Sequence, residues 1–522
     1  MSEAIDISTS QRKTLLALFR RFIPGVEVWA YGSRAKWTAR PNSDLDLVAF
    51  TSPEQNEKIS ALKEALAESD LPFLVDLHVW SEVPERFHEI IRKEYVVIQE
   101  ESRNPLPDGW RTLPLEDCMA AIIDYRGKTP TKTTFGVPLV TAKIVKGGRI
   151  EPAEEFIAES DYESWMRRGI PEKGDVVMTT EAPLGEVAQL DGQRVALAQR
   201  VITLRGKPDL LNNGYLRYLL QSTPVQDELK ARATGTTVLG IKQSELRKVS
   251  LTLPSIPEQK SIAHILGTLD EKIELNRRMN VTLESTATAI YQSWFVDFEP
   301  VKRNSEGGVA RPEDSLFPDS FEDSLNGEIP LGWTLTNLGE VIAIYDSKRI
   351  PLSNRQRELR QGPYPYHGAA AVMDHVDDFL FDGIYLLMGE DGSVIKADGT
   401  PILQYVWGKF WVNNHAHVLR GTNGLCTEHL MLHLKGLNIA HFVTGAVQPK
   451  LNQGNLKQIG IVLPPPAVCD AFSKAVESLF AHIRFNVEES RSLMALRYIL
   501  LPKLMSGELN VGSVQLTEIC QK

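Results

Sequence analysis

Cysteine is scarce. Cys118, Cys426, Cys469 and Cys520 are the only four in 522 residues, and no two form a C-x-x-C pair. That excludes a disulfide framework and a cysteine-built zinc finger, and it suits a reducing cytoplasm. No uncharged apolar run approaches the roughly 18 residues that a membrane span needs. The opening Met1-Ser-Glu-Ala-Ile-Asp has neither the basic nor the apolar region of a secretory signal. Positive charge is not in excess: 57 Lys and Arg against 67 Asp and Glu leave a net charge of −10. This argues against a generally adhesive nucleic-acid binder, but not against local basic clefts. Gly127-Lys128-Thr129 imitates the end of a phosphate-binding loop. Ile122 stands where the first glycine is required, so an ATP site there is rejected. What remains is an ordinary globular composition, 43% hydrophobic and 24% charged, over a length that predicts three or four domains.

The most informative feature present is an internal repeat. Leu106-Pro-Asp-Gly-Trp-Arg opens one unit and Ile329-Pro-Leu-Gly-Trp-Thr opens a second. Leu197-Ala-Gln-Arg-Val-Ile-Thr-Leu-Arg-Gly is echoed by Val412-Asn-Asn-His-Ala-His-Val-Leu-Arg-Gly. Gly235, Leu246, Leu253-Pro254 and Asn276 recur at Gly445, Leu456, Leu463-Pro464 and Asn486, a constant offset of 210. Each unit ends in a proline-marked junction and a long helical pattern. The first seam reads Ile262, Leu266, Leu269, Ile273, Asn276, Asn280, Leu283, Ala287, Ile290, alternating four and three as a heptad requires. The second, Phe472, Val476, Leu479, Ile483, Asn486, Ser490, Leu493, Arg497, Leu500, carries the same polar centre. Two such helices are expected to pair, with the buried Asn fixing register at a cost in stability. The alternative is a long amphipathic helix packed on its own domain. The blocks between openings and helices mix short β-like runs with Gly, Pro and Thr, and read as compact α/β globules.

Residues 1–100 lie outside the repeat. Helices are expected at Gln11–Phe22, Glu54–Glu68 and Glu85–Arg92, and strands at Val26–Ala30, Ser43–Phe50 and Leu74–Trp80. Asp44 and Asp46 share one face of a strand while Leu45 and Leu47 face the core. Asp76 sits in another apolar strand, where an unpaired carboxylate would be costly. Three convergent carboxylates are what a two-Mg2+ phosphoryl-transfer site needs. Gly32 permits close backbone approach, and Ser33 opens a short helix that can hold triphosphate oxygens.

Gly32-Ser33-Arg34-Ala35 through Asn42-Ser43-Asp44-Leu45-Asp46-Leu47, with Asp76, resembles the minimal nucleotidyltransferases of the polymerase-beta-like superfamily. The resemblance implies transfer of NMP from an NTP with Mg2+. Asp44, Asp46 and Asp76 would be catalytic and metal-binding, Asp76 also activating the acceptor hydroxyl, and Gly32, Ser33 and Arg34 would bind nucleotide. Lys36-Trp37 departs from the Arg-Gly of many members.

The duplicated half resembles the specificity subunit of type I restriction–modification enzymes over about residues 105–510. The likeness is carried by Leu106-Pro-Asp-Gly-Trp, Thr234-Gly-Thr-Thr-Val with Ile241-Lys242, and Leu253-Pro-Ser-Ile-Pro-Glu-Gln-Lys-Ser-Ile. Ile329-Pro-Leu-Gly-Trp, Gln448-Pro-Lys-Leu-Asn, Leu463-Pro-Pro-Pro and Leu501-Pro-Lys-Leu-Met-Ser-Gly-Glu-Leu add to it. The fold implied is multidomain α/β and α+β: a small mixed-sheet domain (1–100), then two pseudo-symmetric α/β target-recognition domains (105–255 and 329–466). Two long antiparallel helices (256–299 and 467–507) would separate them, with a linker at 300–328 and a tail at 508–522.

The resemblance further implies binding to a bipartite site on double-stranded DNA, with two methyltransferase subunits docked on the helices and translocating nuclease (restriction) subunits joining them. The specificity half would be non-catalytic, with no cofactor. It carries no N/D-P-P-Y/F methyltransferase motif, in keeping with that. The competing reading makes the chain a nucleotidyltransferase that modifies proteins in an antitoxin-like way, with the duplicated half as scaffold. In the first globule, Lys and Arg balance Asp and Glu almost one for one, so a DNA face needs segregated charge. Polar basic loops are the candidates: Lys128, Thr131, Lys132 and Thr133; Thr234, Thr236, Lys242 and Gln243; Lys348 and Arg349; Lys450, Asn452 and Gln453. Tyr364, Tyr366 and His367 form either an aromatic contact or a packed turn. His415 and His417 invite a metal reading, but no Cys or carboxylate follows at ligand spacing.

Overall fold

The computed structural model describes residues 5–511, apart from 24–25, 41–42, 52–55, 100–106, 108, 128, 236–237, 309–310, 325–326 and 446. The chain divides into two compact units, Met1–His264 with Leu501–Lys522, and Ile265–Leu500.

The first unit begins with a four-stranded mixed sheet. Its elements are α1 (Thr9–Phe22), β1 (Val28–Tyr31), α2 (Gly32–Ala35), β2 (Leu45–Ala49), α3 (Asn56–Ala67), β3 (Val75–Val79), α4 (Glu85–Lys93) and β4 (Val96–Gln99). The strand order is β3-β2-β1-β4, with β2 and β3 parallel and the other pairs antiparallel. A capping box between Ser8 and Gln11 starts α1. One sheet face is closed by Leu15, Phe19, Leu62 and Leu66, packed on Leu45, Leu47 and Leu77. The other face presents Asp46 and Asp76, cross-strand partners in the register.

The two globules repeat one plan. In the first, an antiparallel sheet has the order Leu184–Gln189, Val176–Thr180, Val201–Gly206, Met119–Asp124. In the second, the corresponding order is Leu403–Val406, Tyr385–Gly389, Ala416–Gly421, Ile342–Ile344. A parallel pair stands beside each sheet: Val137–Val140 with Ala196–Leu197, and Gln361–His367 with Lys409–Val412. The repeated openings form the same turn, Trp110 N–H donating to Pro107 O and Trp333 N–H to Pro330 O. Both indoles are buried. The strand after each opening pairs with the strand before each long helix, Arg111–Pro114 with Ser250–Leu253 and Thr334–Asn337 with Gly460–Leu463.

Both long helices span 40 residues, Ile256–Phe295 and Pro466–Met505. Prolines in their first turns are tolerated because those N–H groups have no intrahelical partner. Within the second unit the helices lie antiparallel, and every expected seam residue from Leu266 to Ile290 and from Phe472 to Leu500 is buried or half-buried. Asn276 and Asn486 are buried at the centre. Asn276 Nδ2 donates to Ser490 Oγ (3.3 Å), and Asn486 Nδ2 donates to Asn280 Oδ1 (2.9 Å). Subtracting 210 turns one contact into the other, so the pairing is isologous, as between subunits of a two-fold dimer.

The stretch 300–328, linker-like in composition, holds a helix (Glu299–Glu306) and a hairpin of Phe321–Ser324 with Gly327–Pro330. The buried Asp314 carboxylate, 2.7 Å from Arg303, fastens it, and Val301 and Phe317 join the core of the second unit. Among the described residues no helix is long and apolar enough to cross a membrane.

Candidate functional site

In the N-terminal domain the β1–β2–β3 register brings Tyr31, Asp46 and Asp76 side by side on the uncovered sheet face. Asp44 precedes β2 and is exposed. Burial, then the charges of Asp76 and Asp44, push the Asp46 carboxyl above its ordinary pKa, partly offset by His78. Burial, then the charges of Asp46 and Asp76, push the Tyr31 hydroxyl up to about 12. His78 stands two residues along β3, its Nε2 3.1 Å from Asp76 Oδ2. Gly32 takes φ +76°, and a Cβ there would collide with the Asp46 carboxylate. Glycine is therefore needed both for the backbone and for the space Asp46 fills.

Ser33 is half-buried in α2, which is a single turn of four residues. Arg34, expected beside nucleotide, points inward. Its guanidinium donates to Ser43 O (2.8 and 2.9 Å) and Asp6 O (2.9 Å) and lies 4.0 Å over Phe73. It braces the turn that carries Gly32 against the strand that carries the carboxylates. The crowded carboxylates fit a divalent cation, because they repel one another and held cations would relieve that repulsion.

The globules place a second set of residues together. In the first, the two-residue turn Gln199-Arg200 joins strands Ala196–Leu197 and Val201–Gly206. Thr180 ties this turn to the loop that ends at Lys242: its N–H donates to Arg200 O (2.9 Å) and its carbonyl accepts from Ile241 N–H (3.0 Å). Arg126 Nη2 caps Ile241 O at 2.7 Å. Arg126, Thr180, Gln199, Arg200, Thr234 and Lys242 line a cleft of about 360 Å3. Thr131, Lys132 and Thr133 lie outside that lining. Lys132 is ion-paired with Glu155 (2.8 Å), and Thr133 is bridged to Phe156. Gln243 opens a short helix beside Lys242. Lys128 and Thr236 lie outside the described residues.

The second globule repeats the scaffold. Its turn is Asn414-His415. Glu390 N–H donates to His415 O (2.8 Å), and Glu390 O accepts from Leu451 N–H (2.9 Å). The cap on Leu451 O is His417 Nε2, at 2.8 Å. His417 Nδ1 lies 2.6 Å from Asp346 Oδ2, and Gln453 Nε2 donates to the same oxygen at 2.7 Å. Arg349 Nη1 donates to Glu390 Oε2 and Ala416 O, both at 2.6 Å. Burial alone would raise the Asp346 carboxyl. The hydrogen bonds from His417 and Val418 N–H, with the Arg349 charge, outweigh it and hold the carboxyl below the usual range.

Arg349 and Gln453, expected on DNA, are thus tied into this network. Asp346, Glu390 and His417 come within 4.8 Å of one another, as metal ligands would, but Arg349 and Gln453 already satisfy the carboxylates. Lys348 and Lys450 are exposed, and Asn452 caps the helix Gln453–Lys457. Tyr366 and His367 are buried in a strand, so the packed alternative describes them. The two turns fall at matching places in the repeated segments Leu197–Gly206 and Val412–Gly421, outside the Lys- and Thr-bearing loops.

Comparison with known proteins finds two family models that match separate parts of the chain. The family model "Type I restriction modification DNA specificity domain" matches residues 107–285 and 330–484. The model "Polymerase beta, Nucleotidyltransferase" matches 19–104. The type I restriction enzyme MjaIX specificity subunit of Methanocaldococcus jannaschii is 27% identical over 433 residues, 78% of this chain and 95% of that protein. The probable protein adenylyltransferase MntA of Haemophilus influenzae is 45% identical over 101 residues, 19% of this chain and 88% of that protein. The crystal structure of a type I restriction–modification S subunit from M. genitalium, 17% identical, covers 77% of this chain and 96% of its own with a TM-score of 0.46.

Proposed function

Because the chain belongs to the type I restriction modification DNA specificity family, with an N-terminal domain of the polymerase beta nucleotidyltransferase family, we propose that it is the specificity subunit of a cytoplasmic type I restriction–modification complex and carries a built-in nucleotidyltransferase. Each globule reads one half of a split site on double-stranded DNA. The paired long helices dock methyltransferase subunits, which restriction subunits then join. The observation that carries this reading is the match of one family model to both repeats. The exposed apolar side chains Leu275, Met279, Phe485 and Tyr498 on the long helices supply surface for those subunits. Co-purification with methyltransferase subunits and footprinting on duplex DNA test it. The expected outcome is two short protected half-sites, and failure to bind either partner or duplex counts against it.

The N-terminal domain transfers NMP from an NTP to a protein hydroxyl, the new ester to the α-phosphorus forming as the α–β anhydride breaks and pyrophosphate leaves. Asp44, Asp46 and Asp76 would hold Mg2+, which supplies charge neutralisation at the phosphates when bound. Gly32 and Ser33 let the triphosphate approach the backbone. Asp76 accepts the proton of the incoming hydroxyl, a role its exposure and its neighbour His78 support. Labelled ATP incubated with the assembled complex tests this. Label on one subunit, lost in Asp44→Asn, is expected; no label on any protein counts against it.

A further inference from the structure

The backbone around Gln199-Arg200 and around Asn414-His415 is the same in both globules, while the side chains differ. In each, a residue at the end of a strand, Thr180 or Glu390, donates its N–H to a carbonyl of the turn and accepts at its own carbonyl from an N–H of the neighbouring loop. The fold therefore needs the main chain of the turn and makes little use of its side chains. Arg200, Asn414 and His415 are exposed and Gln199 is half-buried at the cleft. Arg200 has a loose acidic partner in Glu181 at 3.6 Å, and His415 has one in Asp391 at 3.8 Å. Glu181 and Asp391 are themselves one repeat offset apart. Exposed pairs at such distances hold a side chain weakly and release it readily to a better acceptor.

From this invariant support under variable side chains we infer that the two turns are the specificity-determining elements of the two heads. Gln199-Arg200 read base edges of one half-site and Asn414-His415 read those of the other. Arg is matched to guanine O6 and N7, Gln and Asn to adenine N6 and N7, and a His N–H to a purine acceptor. Lys242 and Lys450, exposed on the tethered loops, supply the sequence-independent phosphate contacts that set register. The heads thus accept different half-sites because Gln-Arg and Asn-His present different donors from equivalent turns. This inference rests on the proposal that the globules bind DNA.

The test is the methylation motif written in the host by the full complex, with the wild-type chain, Gln199→Ala, Arg200→Ala, the exchange Gln199→Asn with Arg200→His, and the mirror variant His415→Ala. The first-turn variants are expected to relax or change one or two positions in one half-site, with discrimination there falling about tenfold or more, while the other half stays intact. His415→Ala is expected to affect only the opposite half. An unchanged motif at full methylation overturns the inference. So does a uniform loss of methylation with both halves still specified, which marks the turns as phosphate-binding or structural. If the wild-type chain directs no split motif, the underlying DNA-binding proposal fails instead, a result distinguishable from either of these.

Discussion

Asp46 is crowded by Asp76 and Asp44, a repulsion that a bound cation would relieve. Burial and two neighbouring carboxylates raise its pKa, so the folded protein holds that proton to higher pH than the unfolded chain does. The sign follows from linkage: the native state binds more protons across this window, so metal-free stability of the N-terminal domain falls as pH rises through the carboxylate range. Asp46→Asn is expected to flatten that fall and to raise the metal-free melting temperature near neutral pH, while abolishing nucleotide transfer. Calorimetry with and without Mg2+ checks both, and a destabilised Asn variant contradicts the account. A buried network behaves oppositely. Asp346→Ala leaves His417 and Val418 N–H without the carboxylate they bond, with Arg349 still held by Glu390, and is expected to cost about 3–5 kcal/mol, read as a shift of the denaturation midpoint. Arg34 shows why residue-level roles were only partly legible in the sequence. Its guanidinium is committed to carbonyls of Asp6 and Ser43, and neither commitment is visible in the local motif.

Among the elements, the two long helices were legible in full, because heptad spacing is a local property that survives whatever surrounds it. The same holds for α1, α3, α4 and strands β1 to β3, each marked by its own period. Strand β4 escaped, since Val96-Val-Ile-Gln is short and follows a charged helix. The 300–328 segment escaped for another reason: its order comes from the Arg303–Asp314 pair and from burial of Val301 and Phe317, contacts that composition does not reveal. At the centre of the helix pair, Asn276 donates to Glu489 and Ser490, while its Oδ1 is buried with no partner among the described residues. Asn276→Ala is expected to destabilise the pair by about 1–3 kcal/mol. Replacing Asn276 and Asn486 together by Leu is expected to restore or exceed wild-type stability and to loosen register. Thermal melts give the first result. Cysteine cross-linking between Asn280→Cys and Ile483→Cys gives the second, and a double variant less stable than the single one contradicts it.

The whole molecule is one plan used twice, preceded by a domain of different ancestry. The duplication reaches from the Trp110 and Trp333 turns through the four-stranded sheets to the tethered loops and the isologous Asn layer. Among the features that vary between copies are the two exposed turns and the group that caps the equivalent carbonyl, Arg126 in one and His417 in the other. The N-terminal domain matches a different family from the repeats, and its Asp46 and Asp76 stand side by side on the uncovered face of its sheet. The most direct measurement is the methylation pattern of the host genome with this chain present and with it deleted. A split motif of two specified halves around an unspecified spacer, present only with the chain, is the outcome expected. Methylation that is unaltered by the deletion, or that falls on one continuous motif, contradicts the account.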